Sequence, residues 1–526
     1  MTNQNGGGFS TAGGEKPVWF ETLFCRNERT VIHLLCLFVA VRLFVFCAGF
    51  PLFSSVDEQA HFDTVYKYAR GYLPRKGVDL YDPGAAVLIA LHDTPEIFGD
   101  ERECPDGKVP PPMWRWPPSK VETVGQTIIL WQKCLNHESA SPPLYYGLAG
   151  AWLDLGRLSG QSGGSLVYWV RFFNMGVMVF LTWYAHVFVR RHYPDRVFLR
   201  FGVPCLIAFF PQDIFYSMNA DILSAPLFAA ALDRLIRVFS PECRKSDVFA
   251  AGVFCAMALL TKLTNIVMLP VILLAGTMAA RTPESRRLSV HRCLAVFGMA
   301  FLIFGVWLGW NEAMLGDWWA TRDKMRMVGV IERPVTDWWR APVLQPHYFV
   351  AFIWETLISF WRGSFVWFGK TIASPSMDVF YAISTLLLVP IGFREICFRR
   401  KGEGTAMDRQ AGRMTGWLLA GVLVLFMGLL MLLSLRLGYR QGCRAAQIHP
   451  PFTADGRFML GALIPFAIFY LAGLEALTCR WFRCASPYLL LFVMVAGITC
   501  GEVLISAHVF SSPYNWFHLT MDAPFR

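Results

Sequence analysis

The sequence predicts an all-α protein that crosses the membrane many times, and three observations carry that expectation. Of 526 residues, 55% are hydrophobic and only 16% are charged. The apolar residues come in long blocks, near 31–51, 166–188, 293–311, 415–435 and 485–508. Each block approaches the roughly 20 residues that cross about 30 Å of hydrocarbon as a helix. The basic residues gather in short loops between blocks, at 190–196, 281–292 and 394–413, with Lys16, Arg26 and Arg29 ahead of the first. Lipid offers the backbone no hydrogen-bond partner, so every crossing must be helical. The positive-inside rule then puts the basic loops and the N-terminus in the cytoplasm, as expected for a multi-pass protein of a bacterial inner membrane.

Placing every basic loop inside yields about eleven spans, the others lying near 200–217, 222–238, 248–261, 265–280, 376–393 and 458–477. Two further apolar stretches, 143–158 and 348–372, break this alternation and are read as helices at the outer interface; counted as spans they would raise the total to about twelve or thirteen. Residues 1–30, with a Gly-rich run, read as a disordered cytoplasmic tail. No small-residue cleavage pattern follows the first apolar block, so it reads as a retained span. Residues 31–510 form a single transmembrane domain, and 511–526 an outward C-terminal tail. Three outward loops can build a site, 52–142, 312–347 and 436–457, and the first is the largest. Its middle, 79–118, is rich in Pro, Gly, Asp and Glu and reads as irregular surface structure. Most of the fourteen cysteines lie in apolar blocks and act as small hydrophobes. Cys104 and Cys134 share the outward loop, where an oxidising compartment would favour a disulfide.

The net charge of +10 does not indicate nucleic acid, because Lys and Arg form no single basic domain with interleaved aromatics. P-loop, Rossmann, H-E-x-x-H and G-x-S-x-G patterns are absent, as is Cys/His metal spacing, which argues against nucleotide and zinc-protease chemistry.

Candidate chemistry begins right after the first span. Ser55 and Glu58 have the S-x-x-E spacing of a capping box that would start a surface helix. Asp57 would sit in the first turn, with His61 one turn along on the same face. Two readings stand side by side: helix-start residues, or a general base at the lipid–water boundary. Asp213 and Asp221 fall at an outer membrane face, as span-end residues or as site residues. Lys262 interrupts two apolar blocks, and Arg457 opens a late span, with Arg440 and Arg444 in the loop before it. A cation at that depth snorkels, pairs, or meets a lipid phosphate. Arg42 and Glu502 lie deeper in the first and last spans, as does Asp233 in an intermediate one, and require partners.

The order of these pieces resembles the GT-C superfamily of membrane glycosyltransferases, and within it a bacterial family of predicted membrane proteins related to the polyprenyl-phosphate-sugar enzymes. The matching residues are Val56-Asp57-Glu58 with His61-Phe62, Pro142-Pro143-Leu144-Tyr145-Tyr146, Arg171 with Asn174, and Pro211 with Asn219-x-Asp221. They continue with Thr261-Lys262, Ser359-Phe360-Trp361, Trp367-Phe368-Gly369 and Gly456-Arg457-Phe458, so the resemblance covers about residues 30–480. It implies a first outer loop carrying membrane-parallel helices and an acid there, Asp57, serving as base, with Glu58 and His61 beside it. Lys262, Arg457, Asp221, Arg171 and Tyr145 then become substrate-binding candidates. The implied partners are a lipid-linked sugar donor and a lipid or glycan acceptor; the sequence neither requires nor excludes a divalent metal joining Asp57 and Glu58. Arg362, where relatives have a small residue, and a proline-rich insertion at 105–118 depart from the pattern. Two other classes compete: a flippase or transporter of a lipid-linked glycan, which needs polar residues along a pathway, and a non-catalytic subunit of envelope-polysaccharide assembly.

Overall fold

A computed structural model describes residues 19–54, 57–94, 110–280, 282–367, 370–398, 406–440, 450–481 and 486–519. In chain order the helices are α1 (Trp19–Gly49), α2 (Glu58–Ala69), α3 (Pro83–His92), α4 (Val121–Lys133), α5 (Leu144–Leu158) and α6 (Gly163–Arg171). They continue with α7 (Phe173–His192), α8 (Val197–Ala208), α9 (Ser224–Val238), α10 (Lys245–Leu259), α11 (Met268–Ala279) and α12 (Pro283–Leu315). The last are α13 (Arg322–Met327), α14 (Pro346–Arg362), α15 (Pro375–Phe398), α16 (Ala406–Arg436), α17 (Leu463–Trp481) and α18 (Pro487–Phe510). Among the described residues, the strands form three short antiparallel pairs, of which Asp79–Leu80 with Leu135–Asn136 ties the middle of the first outer loop to its far end. The fold class is therefore all-α, with little sheet.

Among the described residues, seven helical segments are long and apolar enough to cross a membrane: Phe24–Gly49, Gly163–His192, Pro283–Leu315, Pro375–Phe398, Gly412–Arg436, Gly456–Arg480 and Pro487–Phe510. Large apolar side chains such as Leu37, Phe301, Leu302, Val424 and Leu504 stand exposed on them, as a lipid-facing surface requires. Inside, α15 and α17 cross at backbone contact. A Cβ on Gly392 would lie 1.8 Å from the Phe469 carbonyl oxygen, and one on Gly473 would lie 2.0 Å from that of Leu388. Only glycine permits so close a crossing.

Four of the expected spans are shorter than a crossing needs. Helices α8, α9, α10 and α11 have 12, 15, 15 and 12 residues, and 15 residues of helix reach only about 22 Å. They stop where irregular backbone begins. Two 3-10 turns, Asp213–Tyr216 and Ala220–Leu223, separate α8 from α9, and a third, Leu263–Val267, separates α10 from α11. Helices α5 and α14, at the two stretches that broke the alternation, have 15 and 17 residues and are not among the seven.

The three deep charges that require partners, Arg42, Glu502 and Asp233, are paired. Arg42 donates to Glu502 at 2.5 Å and to the Tyr216 hydroxyl at 2.7 Å. Asp233 is held by Arg191, by His192 at 2.8 Å and by Tyr184 at 3.0 Å. The expectation of a tail through residue 30 needs correction, because α1 already runs from Trp19. Glu28 on it is buried and takes two bonds from Arg200, at 2.8 and 2.5 Å, which holds this end of α1 against α8. At the other end, residues 511–519 fold back on the bundle: Asn515 donates to the Phe510 carbonyl at 2.9 Å, and the Tyr514 hydroxyl to that of Pro110 at 2.9 Å. Residues 1–18 and 520–526 lie outside the described residues, as do Ser55, Arg444 and Cys104, and so the Cys104–Cys134 pairing.

Candidate functional site

The site starts from the turn between α1 and α2. Phe53 and Asp57 both have left-handed backbone, φ 62° and 65°, a conformation that costs a non-glycine residue about 1 kcal/mol or more and so requires outside support. Glu58 and Arg171 supply it. Arg171 Nε and Nη2 donate to Glu58 Oε1 and Oε2 at 2.9 and 2.6 Å. The remaining guanidinium hydrogens meet the carbonyls of Cys47, Phe50 and Pro51 at 3.0, 2.6 and 2.9 Å, so all five donors are used. Glu58 also accepts from the Phe53 and Met218 amides, at 2.8 and 2.9 Å. Both side chains are buried. The pair thereby joins the end of α1, the start of α2, the end of α6 and the segment between α8 and α9.

The expected capping box does not form on the Glu58 side. The N-cap of α2 is Asp57, without a side-chain cap bond, and the Glu58 carboxylate is turned inward onto Arg171. A buried guanidinium competes for that carboxylate far more strongly than a backbone amide at a helix start.

Asp57 is turned the other way, and its side chain is about a third exposed. His137 Nε2 lies 3.4 Å from Oδ1, and Arg457 Nη2 lies 3.9 Å from Oδ2. Burial of its surroundings would raise the Asp57 carboxyl; the His137 hydrogen bond and the charges of His137 and Arg457 outweigh it and hold the group well below the usual range. The Arg457 guanidinium sits between three carboxylates, with Nε 2.7 Å from Asp455 and 3.8 Å from Asp221. Lys262 Nζ is 3.2 Å from Asp221 Oδ2. Both cations lie over the Phe458 ring, at 5.8 Å for Lys262 and 5.5 Å for Arg457. Lys262 and Arg457 are each partly exposed, at 18% and 17%, while Asp221 is buried beneath them.

Local backbone explains how four distant residues meet. Asn219 caps the 3-10 turn that carries Asp221, accepting from its amide at 2.9 Å. Lys262 is the N-cap of the turn ahead of α11. Arg457 rides on the 3-10 turn Gly456–Ala462 leading into α17. There a Cβ on Gly456 would stand 2.1 Å from the Phe360 amide, so this turn can lie against α14 only with glycine.

The other expected site residues lie deeper. His61 is buried, with Nδ1 2.8 Å from the Tyr146 hydroxyl and its ring stacked on Tyr146. Burial lowers its pKa to about 4 despite the nearby Glu138. Tyr145 is fully buried, its ring against Tyr146 and Phe173. Asp213 accepts from the Ser364 amide at 3.0 Å, and burial raises its carboxyl to about 6 against the pull of Arg457. Arg362 forms a two-point pair with Asp378, at 2.7 and 3.0 Å. Arg440, by contrast, is exposed, its amide donating to the Gly329 carbonyl.

Sequence reasoning missed His137 and Glu138. Asn136 anchors them: its side-chain amide donates to Asp63 at 2.6 Å, Thr64 at 3.0 Å and the Ala60 carbonyl at 2.9 Å on α2. His137 thus faces Asp57, while Glu138 takes Lys324, Ser141 and the Tyr146 hydroxyl. Burial would raise the Glu138 carboxyl, yet Lys324 leads the charges that keep it well below its usual range. The available signal was an adjacent His-Glu pair in the outward loop just before Ser141-Pro142-Pro143. Among the described residues, no group of three or more His, Cys, Asp or Glu side chains is placed to hold a metal ion.

No curated protein matches the chain. A solved structure of the archaeal oligosaccharyltransferase AglB from Archaeoglobus fulgidus, in complex with an inhibitory peptide and a dolichol-phosphate, is similar at 12% identity and a TM-score of 0.44. The similarity covers 94% of this chain and 56% of that one, so this chain spans little more than half its length. A sequence family described as predicted membrane protein (DUF2142) matches residues 37–442, more than half of the chain. The chain belongs to that family.

Proposed function

We propose that the protein is a membrane glycosyltransferase that moves a sugar from a polyprenyl-phosphate donor to an acceptor hydroxyl at the face of the membrane carrying Asp57. The observation that carries the reading is the meeting of Asp57, Lys262 and Arg457 at one partly exposed rim over the buried Asp221, from four separate parts of the chain. Such a transfer needs little more. The acceptor oxygen attacks the anomeric carbon, the bond to the phosphate oxygen breaks with its electron pair leaving on the phosphate, and a carboxylate takes the acceptor's proton.

In this reading Arg457 and Lys262 meet the donor phosphate and Asp57 takes the proton. A carboxyl held as low as that of Asp57 is a poor base at rest. A phosphate drawing the guanidinium away from its long 3.9 Å contact removes one cause of that depression, so donor binding raises the basicity of Asp57. Glu58 and Arg171 act as a positioning pair that fixes the backbone of Asp57. His61, kept neutral through burial, supports Tyr146 behind the site.

The transporter reading expects more acids and prolines near the middle of several spans than this sequence has, where Arg42, Asp233 and Glu502 stand out.

The test uses full-length protein in detergent with a radiolabelled polyprenyl-phosphate sugar and a hydroxyl acceptor extracted from the host envelope. Wild type should transfer label, and Asp57→Asn should lower transfer about 100-fold or more while the protein elutes unchanged in gel filtration. Full transfer by Asp57→Asn would remove the proposed base.

A further inference from the structure

We infer that the cleft between α1 and α7, at the end of the bundle remote from Asp57, binds the headgroup of an anionic phospholipid. From Arg29 in this cleft to Gly49 beside the candidate site, α1 rises about 30 Å at 1.5 Å per residue. The two sites therefore lie on opposite faces of a bilayer.

The cleft has a volume of about 620 Å³, and Arg29, His33, Trp183, His186, Arg190 and Arg191 line it. Among the described residues, no carboxylate lines it. Arg191 is committed to Asp233, and His186 faces Glu28 at 3.7 Å. Arg29 and Arg190 are exposed and, among the described residues, take part in no ion pair. Two free guanidinium forks beside one cleft are matched to phosphate oxygens, which they bind bidentately.

The surroundings select a lipid over a soluble phosphate. Next to the arginines, in the direction of the hydrocarbon, Leu34, Leu37 and Phe38 on α1 are 59–61% exposed and Phe180 on α7 is 43% exposed. Trp183, in the wall itself and 42% exposed, is the residue type that favours the boundary between headgroups and hydrocarbon. A molecule with both phosphate and acyl chains satisfies the arginines and this apolar strip together. A soluble anion uses only the arginines. Basic clefts between helices at a membrane surface are suited to anionic lipids for this reason.

The test titrates the full-length protein in neutral detergent with dioleoyl-phosphatidylglycerol, dioleoyl-phosphatidylcholine or glycerol phosphate and reads binding by native mass spectrometry. Phosphatidylglycerol should bind about 10-fold or more tightly than phosphatidylcholine, and Arg29→Gln/Arg190→Gln should weaken it about 25-fold, roughly fivefold per arginine. Arg286→Gln/Arg287→Gln, which removes the same charge from a second basic cleft at the start of α12, serves as the charge-matched control and should weaken binding less than Arg29→Gln/Arg190→Gln does. Four results overturn the inference: equal binding of the two lipids, retention of phosphatidylglycerol by Arg29→Gln/Arg190→Gln, an equal loss in the control, or glycerol phosphate binding as tightly as the lipid. Because both variants are remote from Asp57, failure here leaves the glycosyltransferase reading standing.

Discussion

Asp57 and Glu58 are neighbours in sequence and opposites in environment. Glu58 is sealed in the interior, and every lone pair direction it offers is met by Arg171 or by a backbone amide at 2.6–2.9 Å. Asp57 stands at a rim, with His137 and Arg457 at 3.4 and 3.9 Å. A saturated buried carboxylate has no capacity left for a ligand, while loose contacts can be exchanged for new ones. The same contrast separates the two arginines: Arg171 uses all five donors on protein groups, and Arg457 lies partly exposed between carboxylates that a phosphate can displace.

The largest effect should come from Glu58→Gln. It leaves the buried Arg171 without its counter-charge, an uncompensated state that costs about 3–5 kcal/mol, and should lower the melting temperature sharply. Asp57→Asn should do the reverse, lowering transfer about 100-fold or more with a melting temperature close to wild type. Next comes the pH dependence of stability through His61. Its folded pKa of about 4 lies below the usual 6.5, so between these values the unfolded chain binds the extra proton. Stability from this group is complete above about pH 6.5 and falls as pH drops toward 4, by at most about 3 kcal/mol. His61→Phe should flatten that window in melting curves recorded across it. The smallest effects belong to Lys262→Gln and Arg457→Gln, each expected to raise the donor KM about 10-fold or more, the worth of one charged hydrogen bond, with the acceptor KM unchanged.

The sequence made the long spans legible because a run of apolar residues is a local signal that needs no tertiary knowledge. Lys262 and Arg457 were legible for the converse reason, as charges interrupting such runs. Glu58 was not, because S-x-x-E spacing is visible in four residues and its actual partner, Arg171, lies 113 residues away. His137 escaped for a similar reason: only the Asn136 anchor on α2 turns it toward Asp57. The lengths of α8 to α11 escaped because the 3-10 turns between them carry Asp221 and Lys262 to a meeting with Arg457 centred on the Asp221 carboxylate, a contact no hydropathy pattern contains.

The division of labour between the two neighbouring carboxylates is tested most directly by measuring transfer and melting temperature side by side for Asp57→Asn and Glu58→Gln. The account predicts a stable, inactive protein for the first and a destabilised one for the second, with the surviving folded fraction of Glu58→Gln still transferring sugar. A stable Glu58→Gln protein, or an Asp57→Asn protein with full transfer, would contradict it.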